Sequence, residues 1–369
     1  MSVPLFTPIR MREVELDNRI VVSPMCQYQS VDGAAQDWHL MHLGQYCMGA
    51  AALVFLEATH VSSVGRISNR CLALETDAQE QALDRVLAFC RRFGVSKMAI
   101  QLAHAGRKGS TRPPLQGGTP LSTEEGAWQT VAPSAVPYAD DWPDPTPLDQ
   151  GGIAAVKEQF VAAARRADRL GIEVAELHAA HGYLMHEFLS PLSNRRDDGY
   201  GGSLENRMRF PLETFEAVRA AWPEDKPLGV RVSATDWVDG GWDVDECVVL
   251  ARELKALGCD FIDVSSGGLH PAQKIPLRPG YQVPFAARIK REAEIPVMAV
   301  GMIRDPHLAN DIVAGGEADF VALARGMMYD PRWAWHAAEA LGADTPYAEQ
   351  YARCKPALWP QAFAAMAAE

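Results

Sequence analysis

The sequence predicts an α/β chain closed into a (β/α)8 TIM barrel, and three observations predict it. Eight short apolar runs, at residues 20–24, 52–57, 97–102, 173–177, 228–232, 261–265, 297–300 and 320–323, each suit a parallel strand buried on both faces. Segments of helical period lie between them, clearest at 78–93, 153–170, 206–222, 243–257 and 284–294. Polar and glycine residues gather at the C-terminal ends of the apolar runs, the end of a barrel that carries its chemistry. Alternation of this kind implies a parallel sheet, and eight repeats imply closure. A doubly wound sheet, the alternative, would want a GxGxxG directly after an early strand, and none is present.

The elements follow in order. Residues 8–18 are polar and read as a short N-terminal hairpin plugging the barrel floor. Asp243 and Asp305 are placed to cap helices, and Gly94, Gly171 and Gly258 stand where helices should stop. The stretch 103–151, rich in Pro, Gly and Trp, is too long for an ordinary connection after strand three and reads as a lid-like capping insertion. Residues 343–369 form a tail, and the expectation is one domain spanning 1–369.

Composition narrows the function. A formal charge of −12 and a pI near 5.3 argue against nucleic acid and against an anionic membrane surface. The seven cysteines include no CxxC, so neither zinc nor an iron-sulfur cluster is signalled. The start of the chain lacks the layout of a signal peptide, and no apolar run approaches the roughly 20 residues needed to span a bilayer. A cytoplasmic protein acting on small molecules is the expectation.

The strand ends supply the chemistry. Strand four runs into His178-Ala-Ala-His181-Gly-Tyr183. Neutral imidazoles can donate to a substrate oxygen, and a phenol holds a proton it can give up. Strand one ends in Pro24-Met25-Cys26-Gln27-Tyr28, strand two in Glu57-Ala58-Thr59, and strand three in Gln101-Leu-Ala-His-Ala-Gly-Arg-Lys108. Gly301 and Gly326, after strands seven and eight, permit close approach of an anion, and Arg325 can pair with phosphate through its fork. Arg231, deep in the mouth, needs an anionic partner. That partner is either a carboxylate inside the barrel or the negative charge of a reduced cofactor ring.

With Asp198-Gly-Tyr-Gly-Gly-Ser-Leu-Glu-Asn-Arg-Met-Arg-Phe210, Asn18-Arg-Ile20, the run 101–108 and the His178/His181/Tyr183 cluster, nearly the whole chain resembles the Old Yellow Enzyme family of FMN-dependent ene-reductases. Cys26 followed by Tyr28, and His rather than Asn at 181, make it similar to the thermophilic-like bacterial subclass. The resemblance implies FMN, with NADPH or NADH as reductant. Pro24, Met25, Ala58, Gln101 and Arg231 would hold the isoalloxazine, and Gly267, Gly268, Gly301, Ala324 and Arg325 the ribityl phosphate. Ala324 stands where many relatives have glycine. Cys26 would sit beside the flavin, and Tyr28 and Lys108 would shape the pocket. His178 and His181 would grip the carbonyl of an enone, maleimide, nitroalkene or quinone, while hydride passes from flavin N5 to Cβ and Tyr183 protonates Cα. Arg353 would enter a neighbouring subunit's site, making the protein a homodimer or a dimer of dimers. Two rival readings are a metal-dependent barrel hydrolase using His178 and His181, and a noncatalytic flavin-binding barrel.

Overall fold

The computed structural model describes residues 3–361. In chain order, two short strands, β1 (Ile9–Met11) and β2 (Val14–Leu16), form an antiparallel hairpin. The barrel follows as β3 (Ile20–Val22), β4 (Leu53–His60), β5 (Lys97–Ala103), β8 (Val174–Ala179), β9 (Leu228–Ser233), β10 (Phe261–Ser265), β11 (Val297–Val300) and β12 (Phe320–Leu323). These eight strands close on themselves in the order β10-β11-β12-β3-β4-β5-β8-β9, every pairing parallel. Between β5 and β8, β6 (Val131–Ala132) and β7 (Thr146–Pro147) pair as a separate small ribbon. The expected strands all form, with β4, β5 and β8 running further toward the mouth than their apolar runs indicate and β3 stopping short at Val22.

The five expected helices appear as α2 (Asp77–Phe93), α3 (Gln150–Arg169), α5 (Leu204–Ala221), α6 (Val244–Ala256) and α7 (Val283–Ala293). The helix expected after the cap Asp305 is α8 (Pro306–Ala314), and the structure adds α1 (Asp37–Cys47), α4 (Leu184–Leu189), α9 (Arg325–Tyr329) and α10 (Trp333–Leu341). Caps explain several starts. Asp243 accepts from the amides of Asp245 and Glu246, Asp305 from Leu308, Ser203 from Asn206 and Asp149 from Gly152. Each satisfies an amide that has no partner within its own helix.

Apolar packing has two main layers. The larger cluster lies between the sheet and its surrounding helices, with Phe160, Phe210, Phe215 and Trp222 among its members. The smaller fills the barrel interior with Val21, Leu53, Phe55, Val174, Phe261, Met298 and Phe320. Met11 and Leu16 of the hairpin belong to that inner cluster, so the hairpin plugs the floor as expected. The floor is therefore closed with hydrocarbon, and polar side chains collect at the other end. No helix among the described residues is long and apolar enough to cross a membrane.

Candidate active site at the barrel mouth

β8 and the turn after it position the central cluster. Nδ1 of His181 lies 3.3 Å from Nε2 of His178, and Nε2 of His181 is 2.8 Å from the Ser265 hydroxyl. The Tyr183 ring meets His178 edge to face, at 5.1 Å between centroids. Burial, reinforced by the neighbouring Arg231 charge, holds both imidazoles well below their ordinary pKa, so they are neutral. Burial pushes the Tyr183 phenol well above its ordinary value, so it keeps its proton. The two imidazoles thus bond to each other and do not both point free donors at the opening. Nδ1 of His178 is buried without a partner among the described residues.

The turn itself is backbone against backbone. His181 and Gly182 are both left-handed, at φ 59° and 74°. A Cβ on Gly182 would stand 2.3 Å from the Gly268 carbonyl oxygen, and one on Gly268 only 2.5 Å from Cα of His181. The loop after β10 therefore packs directly on the turn after β8, and the Lys108 ammonium donates across the seam to the carbonyls of His181 and Gly268 at 2.8 and 2.7 Å. Burial lowers the Lys108 pKa to about 8. At this seam the amides of Gly267 and Gly268, expected to face a phosphate, are engaged within the protein. The Gly267 amide donates to the Thr235 carbonyl and the Gly268 amide to Gln273 Oε1, so neither is available to an anion.

Backbone amides without protein acceptors among the described residues lie one strand further round. The loops after β11 and β12 line a groove of about 440 Å³ that includes Tyr281, Gly301, Ile303, Arg304, Ala324 and Arg325. That volume falls within the range of cofactor sites. Gly301, at φ 126°, lets the backbone lie open there. Among the described residues the amides of Ile303, Arg304, Arg325 and Gly326 have no protein acceptor.

Arg231 sits on β9 in ladder register with His178 on one side and Asp263 on the other. Its Nε is 3.4 Å from Asp263 Oδ2, without the alignment of a hydrogen bond. A carboxylate inside the barrel is thus one of its partners, as the first of the two sequence readings has it. Glu176, bonded to Gln101 at 2.7 Å, is a second buried carboxylate nearby. Burial pushes both carboxyls up, the Asp263 charge adds to the rise at Glu176, and Arg231 opposes it at both. The terminal nitrogens of Arg231 donate to no protein group among the described residues. One edge of a nearly buried cation thus remains to be answered.

Cys26, Tyr28 and Tyr183 pack on a small cluster of Ile67, Cys71 and Ala105. Burial raises the Tyr28 phenol pKa, and the neighbouring Cys26 thiol adds to the rise. Pro24 and the buried Met25 continue β3 toward this cluster, and Ala58 stands at a bulge in β4 where the register against β5 shifts. From the 103–151 stretch, Arg107 donates to the carbonyls of Val136, Pro137 and, across the seam, Leu269, and the Tyr138 ring lies 4.8 Å from Lys108. Arg353 lies apart, exposed on a short 3-10 stretch (Glu349–Cys354).

A family model described as the NADH:flavin oxidoreductase / NADH oxidase family matches residues 4–344. The chain belongs to that family. It is 43% identical to an NADPH dehydrogenase of Geobacillus sp. (strain WCH70) over 96% of this chain and 99% of that one. Among solved structures, morphinone reductase superposes with a TM-score of 0.75 at 27% identity, covering 92% of this chain and 90% of that one. A 2-naphthoyl-CoA reductase has the same fold, with a TM-score of 0.83 at 22% identity, and this chain spans 52% of its length. The protein is therefore an oxidoreductase of the Old Yellow Enzyme family, which sets aside both the metal-dependent hydrolase and the noncatalytic barrel. Its cofactor is FMN, with a nicotinamide as reductant. The open amides around the groove and the unanswered edge of Arg231 fit such a group, one suited to its phosphate and the other to its ring.

Proposed function

We propose that this chain is an ene-reductase, reducing the activated C=C bond of small α,β-unsaturated carbonyl compounds. The observation that carries the reading is a pair of neutral imidazoles beside a protonated phenol, at a mouth whose far side holds a cofactor-sized groove. Pro24, Met25, Ala58, Gln101 and Arg231 hold the isoalloxazine, while Gly301, Ala324 and Arg325 hold the phosphate end with the neighbouring amides. When bound, FMN supplies the hydride that NADPH or NADH has delivered to it.

The chain's own residues do the rest. A carbonyl oxygen entering between His178 and His181 replaces their long mutual contact with two donated hydrogen bonds, the imidazole that accepts in that contact moving its proton to the nitrogen that faces the oxygen. Neutral donors serve here because they stabilise the charge that collects on that oxygen without being neutralised by it; one such donor is worth roughly 3 kcal/mol. Tyr183 gives its proton to the α-carbon, and its hydroxyl is held by no protein acceptor among the described residues. Arg231 offsets the negative charge of the reduced site. Cys26 and Tyr28 wall the pocket, the 103–151 segment caps it, and Arg353 of a neighbouring subunit completes it in a homodimer or dimer of dimers. Morphinone reductase has been solved with tetrahydroNAD, which is consistent with a nicotinamide entering by the same opening.

The deciding experiment is stopped-flow reduction of the yellow holoenzyme by NADPH and by NADH. Reoxidation is then followed with cyclohexenone, a maleimide, a nitroalkene and a quinone. Bleaching by nicotinamide and anaerobic recovery of colour with an enone is the expected result. Recovery with oxygen or a quinone alone would remove C=C reduction from the protein's repertoire.

A further inference from the structure

One buried pair of side chains is absorbed by none of the roles above. His186, in the first turn of α4, and Asp236, in the loop after β9, are both fully buried. Nε2 of His186 stands 2.8 Å from Asp236 Oδ1, somewhat off the hydrogen-bond axis. On its other side, Nδ1 of His186 accepts from the amide of Gly182 at 2.9 Å. Gly182 is the residue between His181 and Tyr183.

These contacts determine where the protons sit. An Nδ1 that accepts must be unprotonated, so Nε2 carries the hydrogen and faces the carboxylate. The second carboxylate oxygen, Oδ2, accepts from the Ser190 hydroxyl at 2.6 Å and from the Trp242 amide at 2.8 Å. Trp242 in turn donates through its indole to the Ser233 carbonyl, and the Ser233 hydroxyl accepts from the His181 amide. Two paths of contacts thus run from Asp236 to the successive amides of His181 and Gly182, one on each side of the His181 Cα. The turn has no slack of its own, because Gly182 already abuts the Gly268 carbonyl.

We propose that His186 and Asp236 are positioning residues: together they hold the Gly182 amide, and through it set the places of the His181 imidazole and the Tyr183 phenol. Their effect on catalysis rests on the function proposed above; their effect on the turn does not. Neither residue touches substrate or cofactor. The pair acts as the outer partners of catalytic imidazoles generally do, fixing tautomer and orientation from behind.

Asp236→Asn is the sharp test. Oδ2 must remain an acceptor for Ser190 and Trp242, so the new amide nitrogen faces His186. Two N–H groups then oppose each other, either at Asn–His or, if the ring changes tautomer, at His–Gly182. His186→Gln is the conservative counterpart, because its carbonyl can accept from Gly182 while its amide donates to Asp236. His186→Leu can do neither.

Hydrogen exchange of the FMN-loaded proteins, read by mass spectrometry, should show residues 180–184 exchanging at least tenfold faster in D236N and H186L. Exchange in H186Q should match wild type, and residues 297–304 should be unchanged in all three variants. FMN content and the rate of flavin reduction by NADPH should stay at wild-type values. Enone turnover should fall at least tenfold in D236N, mainly in kcat, and recover in H186Q. Unchanged exchange at 180–184 in D236N overturns the proposal, as does loss of FMN and of folding in all three variants, which would make the pair a support of the whole fold. A wild type that reduces no enone sinks the function proposed above and leaves the exchange result to decide on the pair.

Discussion

At the scale of single residues, burial decides which protonation state each group brings to the mouth. His178 and His181 are kept neutral and Tyr183 protonated by the same cause, removal from water. If Tyr183 is the proton donor, Tyr183→Phe should slow reoxidation by an enone on the order of a hundredfold, the lower range for a general acid. Reduction by NADPH should be nearly untouched, and equal losses in both half-reactions would exclude the role. Glu187 shows burial acting on stability. Its carboxyl is pushed up from 4.5 to about 8, against the opposing charges of Arg107 and Lys108. Between those values the folded chain holds a proton that the unfolded chain has released, so stability falls as pH rises through that window. Glu187→Gln should flatten the decline, as measured by urea midpoints from pH 5 to 8. A variant whose midpoints still fall as steeply would show that another group titrates there.

At the scale of elements, the site depends on where the loops after β8 and β10 touch. Helix starts such as Asp243 and Ser203, and the left-handed stops at Gly171 and Gly258, are local features, so they are readable along the chain. The seam between Gly182 and Gly268 is not local, and nothing in either loop announces the other. Read along the chain, Gly268 is simply a glycine at a strand end, and only the folded structure shows its amide donating to Gln273. At φ 93° and with no room for a Cβ, Gly268→Ala should force the loops apart. The expected result is at least tenfold weaker enone turnover with FMN content retained, since the groove after β11 and β12 lies elsewhere. Loss of FMN with turnover per bound flavin unchanged would return Gly268 to the cofactor.

At the scale of the whole molecule, closure of the barrel brings residues more than two hundred positions apart into one mouth. Cys26 and Arg231 are examples. The tail is pinned beside α10 by Arg332, whose guanidinium lies 4.7 Å from the Trp335 ring and 5.0 Å from that of Tyr351. This docking leaves Arg353 exposed on the outer surface, with no ion pair among the described residues. If Arg353 serves a neighbour, Arg353→Ala should lower enone turnover several-fold without changing FMN content. Wild-type activity should also rise with protein concentration across the range where light scattering sees dimers form. A fully active monomer, or an R353A protein indistinguishable from wild type, would leave the arginine as a surface residue of the tail.

The barrel was legible because its signal is carried by runs of neighbours: apolar strands, helical period, caps and glycine stops repeat in order along the chain. The residue types of the site were legible too, since His178, His181, Tyr183, Arg231 and Arg325 all fall at strand ends. The helices α4, α9 and α10 are too short to establish a period, α1 has only a weak one, and α8 is marked in the sequence by its cap Asp305 alone. Tertiary structure alone decided which partners those side chains meet. It joined His181 to Ser265, set Asp263 beside Arg231, and laid Lys108 across the seam. Those contacts depend on the register and shear of a closed sheet, which set distances between strands that no pattern within one strand encodes.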